Sequence, residues 1–390
     1  MKKSKKCVMR KSIQKKAVIL TLIISVVLSG CSNGNEDKMK NVDATKTKWE
    51  SETLDKNLLA DLDVTEKLPK QIYTYKIDRT NFSVKEAKKI FFPKDKGKEK
   101  YNVEYDEEND KREELTTDTG LDLISTIELF SGETEEYKYL NTALYAEERP
   151  EDYDYESGLW TVVGEDKELP NLSKKTVEEK IKNQLGEVWK DTGISISQMH
   201  IRAYTPEYLN KLTKKAMDDS KKKDDIRSDK FNARYTKEWK QNEGVYYIQV
   251  EFSMDGMLLN PKDADQRIAD GVKPDTFYAQ FWYNENGCMS VDFRYFKVTK
   301  KDKKDVIPVS YAVEAVRNNI TSVILSDEQS NEINDATLCY TWVDGEEKEY
   351  SKAAIKPVWI INVKYSDQEI DGVNDKYFVD AVTGEVMEQK

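Results

Sequence analysis

The chain offers one histidine, His200, to any chemistry that needs an imidazole. A Ser-His-Asp triad, a Cys-His dyad and a histidine-rich zinc site would each have to use it. It falls in residues 195–203, which alternate as a strand, and reads as an ordinary strand residue. No H-E-x-x-H, P-loop or G-x-G-x-x-G pattern occurs. The 73 acidic residues always offer carboxylate pairs for glycoside hydrolysis, so no pair stands out without a cleft to hold it. Asp152, Asp154, Glu156 and Gly158 suggest a calcium loop. An EF-hand counted from Asp152 needs glycine at its sixth position and glutamate at its twelfth, where Ser157 and Val163 stand. The reading is therefore a solvated acidic turn, with no metal ligands and no catalytic residues assigned. Cys288 and Cys339 show no C-x-x-C spacing. They either close a loop worth ~4 kcal/mol or stand as isolated thiols on strand faces. Their places in different expected domains favour the isolated thiols. Trp282, Trp342 and Trp359 sit at strand positions with apolar neighbours and are expected to fill cores. The functional alternative is a sheet face on which aromatic rings stack against a sugar or a peptide.

The elements that must position these residues read as α+β, in tandem small units of a helix packed on antiparallel sheet. Residues 49–165 form a first region, 166–300 a middle one and 301–390 a last one. Ser83 and Glu86 make a capping box for a short helix reaching Ile90. Residues 94–112 are highly charged and expected to be exposed. Strands are expected at 121–130 and 137–145. In the middle region Ser173 caps a helix whose Val177, Ile181, Leu185 and Val188 share one face. A strand follows at 194–203, and Pro206 opens a second helix. Strands at 245–254, 276–283 and 288–298 come next, the last two joined by a turn in which Gly287 supplies positive φ. In the last region an apolar stripe predicts a helix over 310–325. Strands are expected at 335–343 and 357–365, with Pro357 acceptable at a strand start. A hairpin closes the chain around Asp380, Ala381, Val382, Thr383 and Gly384. There Asp380 accepts turn amides and Gly384 takes the left-handed position.

The amino terminus is the most specific signal. Residues 1–16 carry eight Lys or Arg and no acid, which orients the segment with this end in the cytoplasm. The apolar run 17–28 is 12 residues long, short of the roughly 20 a spanning helix needs. Ser29 and Gly30 are small enough for a signal peptidase cleft, and Cys31 brings a thiol. Leu28-Ser29-Gly30-Cys31 resembles the lipobox of bacterial lipoproteins. The resemblance implies export, a diacylglyceryl group on Cys31 and cleavage between Gly30 and Cys31. Two acyl chains would then hold the protein stably at the outer face of the cell membrane. Residues 31–48 would form a polar tether. Loss of the signal's eight positive charges takes the net charge from −11 to −19, which repels nucleic acid and anionic head groups. Abundant Lys, Asn, Ile and Tyr with scarce Pro suggest a low-GC Gram-positive source.

The closing segment, Tyr377 to Val386, resembles the last hairpin of PepSY domains. The residues from Lys356 to Val363 are similar to the central strand of PepSY-like and YycH/YycI-type extracytoplasmic modules. The specific part is the turn Asp380, Ala381, Thr383, Gly384. PepSY modules are associated with inhibiting secreted peptidases, and YycH/YycI-type proteins modulate a sensor kinase through a transmembrane helix. A lipid anchor in place of that helix weakens transfer of the kinase role. The expectation is a non-enzymatic envelope protein that binds a protein or peptide partner, with no cofactor beyond the lipid on Cys31. The alternatives are a solute- or glycan-binding lipoprotein, marked by a cleft lined with Trp and Tyr, and, least supported, an acid-pair hydrolase.

Overall fold

The structure is a computed structural model. It describes residues 42–64, 71–105, 110–127, 129–144, 164–190, 192–221, 232–259, 277–322, 330–344, 352–367 and 370–387. Gly30, Cys31 and the acidic turn at Asp152, Asp154, Glu156 and Gly158 lie outside these residues. The described residues form an α+β fold of sixteen strands and five α-helices. The first part contains β1 (Lys48–Asp55), β2 (Leu58–Asp63), β3 (Ile72–Arg79), α1 (Val84–Phe91), β4 (Glu99–Tyr105), β5 (Lys111–Thr117), β6 (Asp122–Ser125), β7 (Leu129–Glu133) and α2 (Glu135–Leu144). Then come α3 (Lys174–Val188), β8 (Ile194–Tyr204), α4 (Pro206–Asp219), β9 (Val245–Met254), β10 (Met257–Leu259), β11 (Tyr278–Asn284), β12 (Gly287–Arg294) and β13 (Phe296–Lys304). The chain closes with α5 (Val309–Ser322), β14 (Ser330–Asp344), β15 (Lys352–Asp367) and β16 (Ile370–Asp380).

All strands belong to one sheet, antiparallel except where β14 pairs with β2 and with β10. The long strands β14 and β15 are its spine. One end of β15 (Lys352–Ile355) pairs with β3, and the rest, from Val358, pairs with β16. β3 also pairs with β13, so strands from all three stretches of sequence share hydrogen bonds. On one face, α1 and α3 pack Val84, Ala87, Phe91, Val177, Ile181 and Leu185 against Phe281, Val291 and Phe293. On the other, α2 and α4 pack Leu140, Ala143, Leu209 and Leu212 against Tyr247, Trp282 and Met289. A third cluster lies between α5 and the end of the spine, around Trp359, Ile361 and Val363.

The expected caps are present. Ser83 Oγ accepts from Glu86 N, Ser173 Oγ from Thr176 N, and Thr205 Oγ1 from Tyr208 N. Four expectations need correction. The expected strand at 137–145 is not present over its described residues, because 135–144 are α2; residue 145 lies outside the described residues. Leu140, Ala143 and Leu144 are buried at helical spacing, and Thr134 Oγ1 caps the first turn by accepting from Tyr137 N at 3.3 Å. The expected strand 121–130 is two strands, β6 and β7, paired antiparallel. The expected strand 288–298 ends at Arg294, and β13 departs to pair with β3. Pro357 lies inside β15, between the stretch paired with β3 and the stretch paired with β16. A residue's N and O point to the same side of a strand. Pro357 O accepts from Ala381 N at 3.0 Å on that side, so the missing N–H falls at the junction of the two partners and breaks no ladder bond.

Among the described residues, no helix is long and apolar enough to cross a membrane.

Candidate functional site

A cleft of about 880 Å³ opens where three elements converge on the end of the β11–β12 hairpin. α1 contributes its last residue, Phe91, and the turn from Phe92 to Lys96. α3 contributes Lys180, Asn183 and Gln184. The hairpin contributes Tyr283, Asn284 and the residues from Asn286 to Met289, and Thr134, Glu135 and Glu136 close the fourth side. The hairpin end is rigid for reasons visible in its residues. Asn284 Oδ1 accepts from Asn286 N at 2.8 Å and from Gly287 N at 3.2 Å, and Gly287 sits at φ +131°. Lys94 Nζ donates to Asn286 O at 2.6 Å and ties the α1 turn to the hairpin. That turn is itself held by Asp95, whose carboxylate accepts from Gly97 N at 3.1 Å and from Thr119 Oγ1, with Lys88 Nζ 3.2 Å away. Burial alone would raise the Asp95 carboxyl, but those hydrogen bonds outweigh it and hold the group below its usual value.

The cleft floor is apolar and the walls carry amides. Phe91, Tyr283 and Met289 are each under 5% exposed, so they offer little ring surface to stack on. Lys180 Nζ lies 5.5 Å from the Tyr283 ring centroid. Burial pushes the Tyr283 hydroxyl up to about 12. Burial also pushes the Cys288 thiol well above its ordinary value, and the thiol donates to Ser290 O at 3.3 Å. A thiol held protonated is a packing group and not a nucleophile. Gln184 Nε2 donates to Ile90 O at 3.0 Å, while its Oε1 is buried without a partner. Asn183 and Asn286 present exposed amides beside it. This wall suits the alternating N–H and C=O groups of an extended peptide.

A second polar feature lies on the α2 and α4 face of the same strands. Asp122 stands directly opposite Glu133, and Asp292 is one row further on the neighbouring strand. Like charges so placed repel. Burial first, and then Asp292 and Asp122, raise the Glu133 carboxyl above its usual value. Burial raises Asp292 above 3.8 despite a hydrogen bond from Ser131. A raised folded-state pKa means that the native state binds more protons than the unfolded chain between the group's ordinary value, 3.8 for Asp292 and 4.5 for Glu133, and its raised value. Stability from these groups is therefore complete below that window and falls as pH climbs through it. Asp292→Asn removes the buried charge. Its melting temperature should exceed wild type at pH 7.5, with the gap closing as pH falls to 4 in a thermal-melt series. A gap independent of pH would refute the buried-charge account.

The residues singled out in the sequence are dispersed. His200 is exposed on β8, its Nε2 3.0 Å from Glu251 Oε1. Cys288 and Cys339 are both buried and free, so they do not pair. Asp380 Oδ1 accepts from Val382 N at 2.8 Å and from Thr383 N at 3.1 Å, and Gly384 holds φ +77°. Ala381 is buried and anchors the segment ahead of α5, accepting from Ile307 N at 2.8 Å. The turn thus commits its polar groups to its own amides, to β15 and to the segment ahead of α5, with Lys356 Nζ 3.4 Å from Asp380 Oδ2. Among the described residues, no group of three His, Cys, Asp or Glu side chains is placed to hold a metal ion. Sequence reading missed the cleft. Its only local signal was the Asn284–Gly287 turn, which gives no sign that α1 and α3 end beside it.

The fold and cleft define a helix-covered, mostly antiparallel sheet protein with a small polar-walled recess. No protein-family profile and no curated protein matches the chain. Among solved structures, an uncharacterized protein from Eubacterium rectale ATCC 33656 is similar at TM-score 0.48 and 14% identity, over 87% of this chain and 92% of that one. The C-terminal domain of Bacillus megaterium YpeB is a weak neighbour at TM-score 0.26 and 10% identity, over 79% and 96%.

Proposed function

We propose that the protein is a lipid-anchored extracytoplasmic binding module, held at the cell membrane through Cys31, that takes an extended segment of an envelope protein or peptide into this cleft. The observation that carries the reading is the cleft wall, where the unused Gln184 Oε1 and the exposed amides of Asn183 and Asn286 surround an apolar floor. The lipobox-like Leu28–Cys31 supports the location, and the PepSY-like closing turn supports a binding role. Sugar recognition is the weaker alternative, because the cleft's aromatic residues are nearly covered.

The test is fluorescence polarisation with a library of labelled extended octapeptides, run beside a glycan array. Asn183→Arg projects a long side chain from an exposed position of α3. It should weaken peptide binding by at least about tenfold, or 1.4 kcal/mol, with the melting temperature unchanged. Glycan binding without peptide binding, or peptide binding indifferent to Asn183→Arg, would sink the proposal.

A further inference from the structure

Among the described residues, β1, β4, β8, β13 and β16 each pair with a single neighbouring strand and leave an edge open. An open edge is a template for another strand, and proteins blunt such edges with bulges. The pairings of β1, β8, β13 and β16 are each broken by an irregularity of register. β4 runs in unbroken register with β5 from Glu99 to Tyr105 and contains no proline. It also carries two of the five exposed large apolar side chains among the described residues, Tyr101 at 43% and Tyr105 at 65%. α1 holds the strand in place, with Lys85 Nζ 4.5 Å from the Tyr101 ring centroid and Lys88 Nζ 2.8 Å from Glu99 Oε1.

The open edge has a definite parity. Lys98 opposes Asp118 in the register with β5, and its O accepts from Asp118 N at 3.3 Å. Backbone groups alternate sides along a strand. Those of Lys100, Asn102 and Glu104 therefore face β5, and those of Glu99, Tyr101, Val103 and Tyr105 face outward. A second copy of β4, laid antiparallel about a two-fold axis at Asn102, matches this parity. Glu99 then opposes the partner's Tyr105 and Tyr101 opposes the partner's Val103. All of these face outward, so each pair exchanges two backbone hydrogen bonds. The charges obey the same axis. Exposed Lys100 lies opposite the partner's Glu104, and exposed Glu104 lies opposite the partner's Lys100. Opposite charges directly across two strands attract, and like charges there repel. Glu104 Oε1 already accepts from Asn102 Nδ2 at 2.8 Å, which leaves Oε2 for the lysine. We infer that β4 is a self-association edge that joins two copies of this chain into a two-fold dimer, with the sheet continuous across the interface. None of residues 99–105 lines the cleft.

Disulfide trapping on intact cells expressing the whole chain tests this. Asn102 sits on the axis, where facing Cα atoms are about 4.5 Å apart, within the roughly 4.4–6.8 Å that a disulfide spans. Asn102→Cys should therefore form a covalent dimer under mild oxidation. The wild type, whose Cys288 and Cys339 are buried, sets the background. Lys100→Cys stands two residues off the axis, about 13 Å from its copy, and should be trapped at least tenfold less. In the Asn102→Cys chain, Lys100→Glu or Glu104→Lys turns two attractive pairs into two repulsive ones, which should slow trapping about tenfold. The two changes together restore both pairs and should restore the rate. Val103→Pro deletes an outward N–H that β5 does not use, so it should suppress trapping with the melting temperature unchanged. Absence of the Asn102→Cys dimer, equal trapping of Lys100→Cys, or no recovery in the double charge reversal would overturn the inference. So would a disulfide from Asn102→Cys to a different protein in place of the dimer.

Discussion

Cys31→Ser is expected to leave the protein as an unprocessed precursor that no longer carries lipid. The effect should be all-or-none because both steps need the same atom. A thioether to diacylglycerol requires sulfur at Cys31, and the lipoprotein peptidase cuts only after that modification. The run 17–28 is 12 residues, too short to anchor as a spanning helix once the lipid is lost. On the proposed lipoprotein reading, two acyl chains would bind the membrane stably where one is marginal, so removing the attachment point would remove the anchor. Globomycin, which blocks lipoprotein signal cleavage, should make the wild type accumulate at the precursor's size. Mass spectrometry of the amino-terminal peptide and fractionation of cells check both effects. A Cys31→Ser protein still cut at Gly30 and still retained on the membrane would refute the lipoprotein reading.

What was legible in the sequence follows the range of the interactions. The helices α1, α3 and α5 are written in local terms, as caps at Ser83 and Ser173 and apolar residues three or four apart. The closing turn is local too, because Asp380 and Gly384 satisfy it within five residues. α2 was misread because Tyr137 and Tyr139 alternate with polar residues, while its cap, Thr134, belongs to the end of β7. The fate of β3 is not local at all. It pairs with β13 and β15, more than 200 residues away, and no spacing within 72–79 specifies that. The cleft and the acidic row have the same origin. Asp122, Glu133 and Asp292 are unremarkable among 73 acids until strand register sets them side by side.

Trp359→Ala should be the most destabilising single truncation in the last part of the chain. The side chain is fully buried on β15 against α5, among Ile361, Val363, Val313 and Val316. Its Nε1 donates to Ile307 O at 3.1 Å, Ile307 N donates to Ala381 O, and Ala381 N donates to Pro357 O. One indole thus fixes the entry to α5, the closing turn and the spine strand together. Loss of a buried tryptophan costs about 3–5 kcal/mol, and an orphaned Ile307 carbonyl adds to it. Trp359→Phe keeps most of the volume and loses the donor, so it should cost about 1–3 kcal/mol. Urea unfolding, read as the midpoint, ranks the two. The shape of the curve tests a further point. β14 and β15 feed two cores at once: Tyr340, Trp342 and Ile355 pack with the α1 and α3 cluster, while Ile333, Trp359 and Ile361 pack beneath α5. Damage at Trp359 should therefore move a single transition for the whole chain to lower urea. A new early transition confined to the last 90 residues would instead show that residues 301–390 melt as a unit of their own.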